Sequence, residues 1–219
     1  EVIVATVETN QRYFTVFEDA ALTRLKPVFI TIANIESRDV AQIIEGNERV
    51  VRPRLSDAMF FWEQDRKQPL SEYKGRLATL MFQRELGTVS DRSARLFQIG
   101  DFIVARLSGV APDVTYGNLP EEYKQLQKNV RTAAFLAKCD LVTKMVFEFP
   151  ELQGLMGGYY AAASGENANV AKAIREHYLP IQQGTPIPST LEGRVLALAD
   201  KLDALAGILY GHADRVFQL

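Results

Sequence analysis

The stretch VRTAAFLAKCDLVTKMVFEFPELQGLMGGYYA, residues 130–161, decides the fold that the sequence predicts. Apolar residues recur there at helical spacing: Val130, Ala134, Ala137, Leu141 and Met145. A second apolar face runs beside them, and a helix that is apolar on two faces must be surrounded by other helices. We therefore expect a buried central helix with a polar notch at Lys138–Asp140 and Lys144. Phe149 and Pro150 should stop it, because the residue before a proline is pushed out of helical conformation.

The composition is that of an ordinary globular protein, with 219 residues of which 47% are hydrophobic and 24% charged. The net charge of −2 means that any nucleic-acid contact must come from a local basic patch. The single cysteine, Cys139, excludes an internal disulfide and a multi-cysteine zinc site. It fits a reducing compartment, and we expect a cytoplasmic protein. The sequence contains neither a signal peptide nor a run long enough to span a bilayer.

The N-terminal part reads as a mixture of strands and helices. Residues 2–8 and 12–19 are rich in β-formers and flank a turn at 9–11, and residues 27–33 supply a third strand. Ser37 or Asp39 should cap a helix that weakens at Gly46–Asn47, and Pro53 should start the next helix. A further helix is expected from about Ser71 to Glu85.

The rest of the chain reads as helical. Helices are expected at 90–107 and 170–178, with a loop containing Pro112, Gly117 and Pro120 before the central helix. In the last helix, apolar residues repeat at +4, +3, +4, +3 and +4: Leu191, Val195, Leu198, Leu202, Leu205 and Leu209. This spacing predicts a core stripe. We expect an α+β fold, with a small strand-and-helix part at 1–85 and a helical domain at 86–219.

Asp140, His177 and Asp200 are predicted on three different helices. Metal sites can be built from side chains on facing helices, and His with Asp suits a hard or borderline divalent ion. In the alternative interpretation, Asp140 pairs with Lys144 one turn on. Asp200 and His177 would then make buried hydrogen bonds.

The same residues resemble the pattern of an HD-domain phosphohydrolase. That family carries a His-Asp pair and a later lysine on its central helix, a histidine on a later helix and an ADKLD-like run on the last. Here Cys139–Asp140 stands at the pair, Lys144 at the lysine and ADKLD at 199–203. The histidine of the preceding helix is missing, with Gln98 or a neighbour near that place, and none follows the central helix. We therefore expect a degenerate site without a catalytic metal, at Cys139, Asp140, His177 and Asp200.

A group of arginines in the N-terminal part has two interpretations. Arg49, Arg52 and Arg54, with Arg12 on the hairpin, can reach successive phosphates of RNA or can pair with Glu48 and Asp57.

The run QGLMGGYYA contains Gly154, Gly157 and Gly158, which do not follow a predicted strand. Close helix packing explains these glycines better than a phosphate-cradling loop. Tyr159 and Tyr160 can stack on a base, but aromatic residues at such positions are more often core.

Five runs resemble the β subunit of bacterial heterotetrameric glycyl-tRNA synthetase. They are TNQRYF at 9–14, TIANIESRD at 31–39, IIEGNERVVRPRLSDAMFFWEQD at 43–65, KCDLVTKMVFEFPELQGLMGGYYA at 138–161 and ALADKLDALAGI at 197–208. The resemblance extends over nearly the whole chain. Because that subunit is much longer, it implies an internal segment that holds part of an accessory α+β region (1–85) and a degenerate HD domain (86–219).

The resemblance implies an α2β2 enzyme in which the α subunit uses ATP and Mg to activate glycine. The β subunit then binds tRNA(Gly) and presents its acceptor end, so this segment needs neither catalytic residues nor a cofactor. Its candidate tRNA-binding residues are Arg12, Arg49, Arg52, Arg54, Arg131, Lys138 and Lys144. The alternatives are a metal-dependent HD-type phosphohydrolase and a purely structural domain.

Overall fold

The computed structural model describes residues 1–109 and 119–216, so most of the predicted loop with Pro112 and Gly117 lies outside the described residues. The fold is mainly helical with two small antiparallel sheets, and the predicted α+β class is confirmed. In the part of the chain that the structure describes, no helix is both long and apolar enough to cross a membrane.

The α-helices of the described residues are α1 Val2–Val4, α2 Val40–Asp65, α3 Val89–Leu107, α4 Glu121–Leu136, α5 Lys144–Glu148, α6 Leu155–Ala163, α7 Ala168–Glu176 and α8 Leu191–Val216. The strands are β1 Phe14–Phe17, β2 Leu25–Ile30, β3 Met81–Gln83 and β4 Gly87–Thr88. A π-helical segment, Ala5–Asn10, continues α1. Segments of 3₁₀ helix span Leu70–Thr79, Cys139–Val142 and Pro150–Leu152.

The predicted first strand is wrong, because residues 2–10 are helical. Its β-branched residues favour a strand locally, but helical winding lets Thr6 and Val7 be buried at 1% and 3% exposure. The hairpin forms instead between β1 and β2, with Phe14 opposite Ile30 and Phe17 opposite Leu25.

α2 is one helix of 26 residues rather than the two that the sequence predicts. The predicted cap is confirmed, since the Asp39 carboxylate accepts a hydrogen bond from the backbone N–H of Gln42 at 3.2 Å. Gly46 and Pro53 both lie on the exposed side, and the helix continues through them.

The helix predicted from Ser71 to Glu85 is a 3₁₀ segment that stops at Thr79, followed by the β3–β4 hairpin. Leu70, Tyr73 and Leu77 point into the same hydrophobic core as residues of α3, α4 and α7. The predicted boundary near residue 85 stays a prediction.

The predicted central helix is broken after Leu136. The chain passes through a 3₁₀ segment at Cys139–Val142, and Thr143 then caps α5 by accepting a hydrogen bond from Val146 N–H at 3.3 Å. This change of direction turns the side chains of Lys138 and Asp140 inward. The predicted stop at Phe149–Pro150 is confirmed, because α5 ends at Glu148.

α8 packs on α3, α4 and α7, but not with the predicted leucine stripe. Only Val195 of that stripe is buried, and its five leucines are 42–62% exposed. The buried face carries Leu196 and Ala199 together with the acidic residues Glu192, Asp200 and Asp203.

Candidate functional site

The side chain of Lys138, which follows α4, is buried against the C-terminal end of α7 and against α8. Its Nζ atom is 2.7 Å from Nε2 of His177 and 2.9 Å from Oδ1 of Asp200. It also lies 4.0 Å from the ring centroid of Tyr178, and the side chain is only 2% exposed. Two of the predicted metal-site residues, His177 and Asp200, therefore share a protein ammonium group.

Burial governs the charges of this cluster, which we call the Lys138 cluster (Lys138, His177, Asp200). Burial lowers the pKa of Lys138 to about 8, although Asp200 opposes the shift. Burial and the charge of Lys138 lower the pKa of His177 to about 3, so this imidazole is neutral at pH 7. Burial by itself would raise the pKa of Asp200, but the positive charges of Lys138 and Arg92 have a larger effect in the opposite direction. The pKa of Asp200 therefore lies below its ordinary value.

The neutral His177 has a defined tautomer. Its Nδ1 atom is 2.6 Å from the carbonyl oxygen of Ile174, which can only accept, so Nδ1 carries the proton. Nε2 then accepts a hydrogen bond from Lys138 Nζ. The expected buried hydrogen bonds are confirmed for His177, whereas the Asp200 carboxylate is held by ion pairs with Lys138 and Arg92.

Two arginines of α3 pair with the buried aspartates of α8, one of which belongs to the Lys138 cluster. The sequence interpretation did not identify them. Arg92 Nη2 is 3.1 Å from Asp200 Oδ1, and Arg95 Nε is 2.5 Å from Oδ1 of Asp203. Gln98, the residue considered on this helix, is exposed. The available signal was a pair of arginines three residues apart that matches the spacing of Asp200 and Asp203.

Asp140 points to α6 instead of joining the Lys138 cluster. Its Oδ2 atom accepts hydrogen bonds from the backbone N–H groups of Gly154 and Gly157 at 2.5 and 3.0 Å. Burial raises its pKa to about 6. The alternative interpretation, in which Asp140 pairs with Lys144, is wrong, because the Asp140 carboxylate binds the Gly154 and Gly157 N–H groups while the exposed Lys144 ammonium lies over Phe60, 5.6 Å from its ring centroid.

The glycines of α6 serve close packing, as predicted. A Cβ atom on Gly157 would lie 2.9 Å from Ile174 Cγ2, and one on Gly158 would lie 2.7 Å from Arg175 Cβ. Gly154 has φ +78°, a conformation that glycine adopts readily.

The two tyrosines have different environments. Tyr160 is a core residue, stacked on Trp62 at a centroid distance of 5.3 Å, and its hydroxyl donates to Asp65 Oδ2 at 2.9 Å. Tyr159 is 37% exposed and lies edge-on to Trp62. The Asp65 carboxylate also accepts from the backbone N–H groups of Lys144 and Met145 at 2.9 Å, which ties α2 to α5.

Cys139 is buried, and burial raises the pKa of its thiol to about 12. It stays a protonated core residue at neutral pH, so it is not a nucleophile.

The Lys138 cluster is suited to holding helices together. Within the described ranges, no group of three or more His, Cys, Asp and Glu side chains is placed to share a metal ion. The Lys138 ammonium supplies the positive charge that Asp200 requires in a buried position. A divalent cation at the same point would meet this charge and be repelled.

The predicted RNA-binding residues fall into two sets. Lys138 is buried, and Arg131 holds Asp101 through Nε at 2.8 Å and Nη2 at 2.8 Å. The others are exposed: Arg12, Arg49, Arg52, Arg54 and Lys144.

Two of the exposed arginines pair with glutamates. Arg52 Nη2 is 2.7 Å from Glu48, as the alternative interpretation expects. Arg54 Nη1 is 3.4 Å from Glu148 of α5 rather than pairing with Asp57. Both pairs are solvent-exposed and contribute little to stability, so a competing anion displaces the carboxylates readily.

Comparison with known proteins identifies the family. The family model described as glycyl-tRNA synthetase beta subunit matches residues 1–213. The glycine–tRNA ligase beta subunit of Chromohalobacter salexigens is 47% identical over 215 residues, which cover 98% of this chain and 28% of that protein. Those of Pseudomonas entomophila and Acinetobacter baumannii are 45% and 48% identical over 208 residues, covering 95% of this chain and 28% of each relative. The chain thus spans 28% of the length of these relatives, and it belongs to the glycyl-tRNA synthetase beta subunit family.

Proposed function

We propose that this chain binds and positions tRNA(Gly) within glycine–tRNA ligase. The ligase would attach glycine to tRNA at the expense of ATP, with Mg, at a site on the α subunit of an α2β2 assembly in the cytoplasm. Family membership supports the overall reaction. The observation that carries the tRNA-binding role is a group of exposed cations just before β1, on α2 and at the start of α5, in a chain whose net charge is −2.

We call these cations the arginine surface: Arg12, Arg49, Arg52, Arg54 and Lys144. A contact between the residues just before β1 and α2 brings Arg12 close to the arginines of α2. The hydroxyl of Tyr13, next to Arg12, donates to Asn47 Oδ1 at 2.6 Å, and Arg49 follows two residues later. Arg52 lies three residues beyond Arg49 on the same helix, so the two share one side of α2.

The chemistry of this surface suits phosphate. Guanidinium groups bind phosphate oxygens through two parallel hydrogen bonds. Among the described residues, no carboxylate lies within ion-pair distance of Arg12 or Arg49. Their charge is therefore available to a polyanion, whose backbone they would hold without reading its sequence.

The Lys138 cluster supports a binding role for this chain rather than a hydrolytic one. A metal-dependent phosphohydrolase would need a divalent ion between His177 and Asp200, but the Lys138 ammonium lies there. The buried charges hold α3, α4, α7 and α8 in place, and we assign them a scaffold role.

The test uses the complete ligase carrying Arg49→Ala and Arg52→Ala in its β subunit. Aminoacylation of tRNA should lose at least about tenfold in kcat/KM, since each charged contact contributes roughly 1 kcal/mol or more. Glycine-dependent pyrophosphate exchange without tRNA should stay within about twofold, because that step is proposed for the α subunit.

The matched control is Lys124→Ala with Lys128→Ala, which removes two exposed cations from α4. These changes should leave both reactions unaltered. Unchanged aminoacylation in the Arg49/Arg52 variant would overturn the proposal, as would an equal loss of pyrophosphate exchange.

A further inference from the structure

The exposed leucines of α8 form a continuous apolar strip, which we call the leucine seam: Leu191, Leu198, Leu202, Leu205 and Leu209. With Val195 at its edge, the spacing of +4, +3, +4, +3 and +4 is that of the a and d positions of a coiled coil. Val195, Leu202 and Leu209 stand at a, and the other three leucines stand at d. The seam is about 27 Å long, from the rise of 1.5 Å per residue.

The seam is distinct from the face by which α8 joins the helical core. Leu196 and Ala199 are fully buried, and Gly207 faces Leu86, where a Cβ atom would lie only 2.2 Å away. Those contacts use one side of α8. In the described ranges 1–109 and 119–216, nothing covers the five leucines beyond the partial shielding that leaves them 42–62% exposed.

One border of the seam is basic. Arg194 and Lys201 are seven residues apart, at successive g positions, and both are exposed. Arg194 Nε donates to the carbonyl of Pro188, and Lys201 Nζ donates to that of Leu179. Neither cation lies within ion-pair distance of a carboxylate among the described residues. On the opposite border, Glu192 and Ala199 are buried in the core, whereas Ala206, one heptad further on, is exposed.

We propose that the leucine seam binds a helix from the part of the β-subunit polypeptide that lies outside these 219 residues. That helix carries apolar residues at heptad a and d positions and acidic residues facing Arg194 and Lys201. The heptad spacing specifies a helical occupant, because a and d side chains fit holes between residues of a facing helix. The relatives supply the source, since this chain spans 28% of their length.

A second copy of α8 fits the seam poorly. The core covers the border at Glu192 and Ala199, so along that half of the seam a partner helix lies against the basic border. Two antiparallel copies would then bring Arg194 and Lys201 of one copy against the same cations of the other. Like charges at these positions oppose pairing.

The test places the photo-cross-linker p-benzoylphenylalanine at Leu202 of the full-length β subunit and maps the products by mass spectrometry. A mixture of ¹⁵N-labelled and unlabelled protein separates links within one chain from links between copies. We expect an intrachain link to a heptad-patterned segment outside these 219 residues. The same cross-linker at Lys128, an exposed position on α4, should not give that link.

A link to a second copy, to the α subunit, to residues within the 219 or to nothing would overturn the proposal. A second arm replaces both Leu198 and Leu202 with Glu and follows amide hydrogen exchange. Exchange in the cross-linked segment should rise at least tenfold while α3 and α7 keep their protection. Unchanged exchange in that segment would contradict the proposal. The cross-linking arm replaces a single exposed leucine, so it decides the question even if the double variant misfolds.

Discussion

The Nζ atom of Lys138 lies 2.7 Å from the Nε2 atom of His177, and neither side chain is accessible to solvent beyond 2%. This contact puts a lysine ammonium group at the junction of α4, α7 and α8. The same Nζ atom forms an ion pair with Oδ1 of Asp200 at 2.9 Å. The Lys138 ammonium therefore lies beside His177 and Asp200, two residues that the sequence offers as candidate metal ligands.

Removing the Lys138 ammonium should leave Asp200 charged and buried without its closest partner. We expect Lys138→Met to cost roughly 3–5 kcal/mol of unfolding free energy, measured by denaturant titration. Adding Asp200→Asn should restore part of that loss, because it removes the unpaired charge. Lys172→Met, at an exposed position of α7, is the control and should have no effect. A loss below about 1 kcal/mol for Lys138→Met would show that the cluster is not stabilised by this cation.

His177 should make stability depend on pH between about 6.5 and 3, because burial lowers its pKa to about 3 in the folded chain. In that window the unfolded chain binds a proton at His177 and the folded chain does not. Stability from this residue therefore falls as the pH falls, by at most about 1.4 kcal/mol per pH unit. His177→Gln removes this contribution, so the wild-type-minus-variant difference in unfolding free energy should shrink towards low pH. Parallel pH curves for the two proteins would rule out a neutral, buried His177.

The contact between α6 and α7 requires glycine at residue 157. A methyl group there would lie 2.9 Å from Ile174 and 3.0 Å from the Asp140 carboxylate. Gly157→Ala should cost about 1–3 kcal/mol, the usual range for overpacking a core. Gly75→Ala is the matched control, since no atom lies within 4 Å of its added Cβ. Equal melting temperatures for the two variants would contradict this packing.

The two faces of α8 should respond differently to truncation in the 219-residue chain. Leu196→Ala should cost about 2–5 kcal/mol, because the side chain is fully buried. Leu202→Ala should cost less than about 1 kcal/mol, because that leucine is 42% exposed. Thermal or denaturant unfolding of both variants provides the comparison, and the reverse order would place the leucine seam in the core.

Local signals in the sequence predicted some elements well. α3 begins one residue before the predicted Ser90 and ends at the predicted Leu107. Asp39 caps α2, and Gly157 and Gly158 allow close packing, both as expected. The helix ends and the cap depend on residues nearby in sequence, and the small size of glycine itself permits the close packing.

The features that we predicted wrongly from the sequence depend on contacts with residues far away in the chain. The leucine repeat of α8 has the spacing of a core stripe, but the buried face of the helix carries Asp200 and Asp203. Arg92, Arg95 and Lys138, on other parts of the chain, make this burial possible by neutralising the two aspartates. The pattern within α8 cannot supply this information.

The break in the central stretch has a similar cause. The apolar spacing of residues 130–145 fits a continuous helix. In the structure this helix ends at Leu136. Just beyond that point, Lys138 contacts His177, and Asp140 accepts a hydrogen bond from Gly154. Both partners lie more than ten residues away in sequence, so helical periodicity did not reveal the break.

The most direct test of the tRNA-binding role is the salt dependence of tRNA affinity, measured for the complete ligase with and without Arg49→Ala and Arg52→Ala in the β subunit. Each phosphate contact contributes about 0.7–0.9 to the slope of log K against log salt concentration. We predict weaker tRNA binding at low salt and a slope shallower by about 1.4–1.8 in the variant, from the loss of two contacts. An unchanged affinity with an unchanged slope would contradict it and leave the arginine surface as a solvated face of α2.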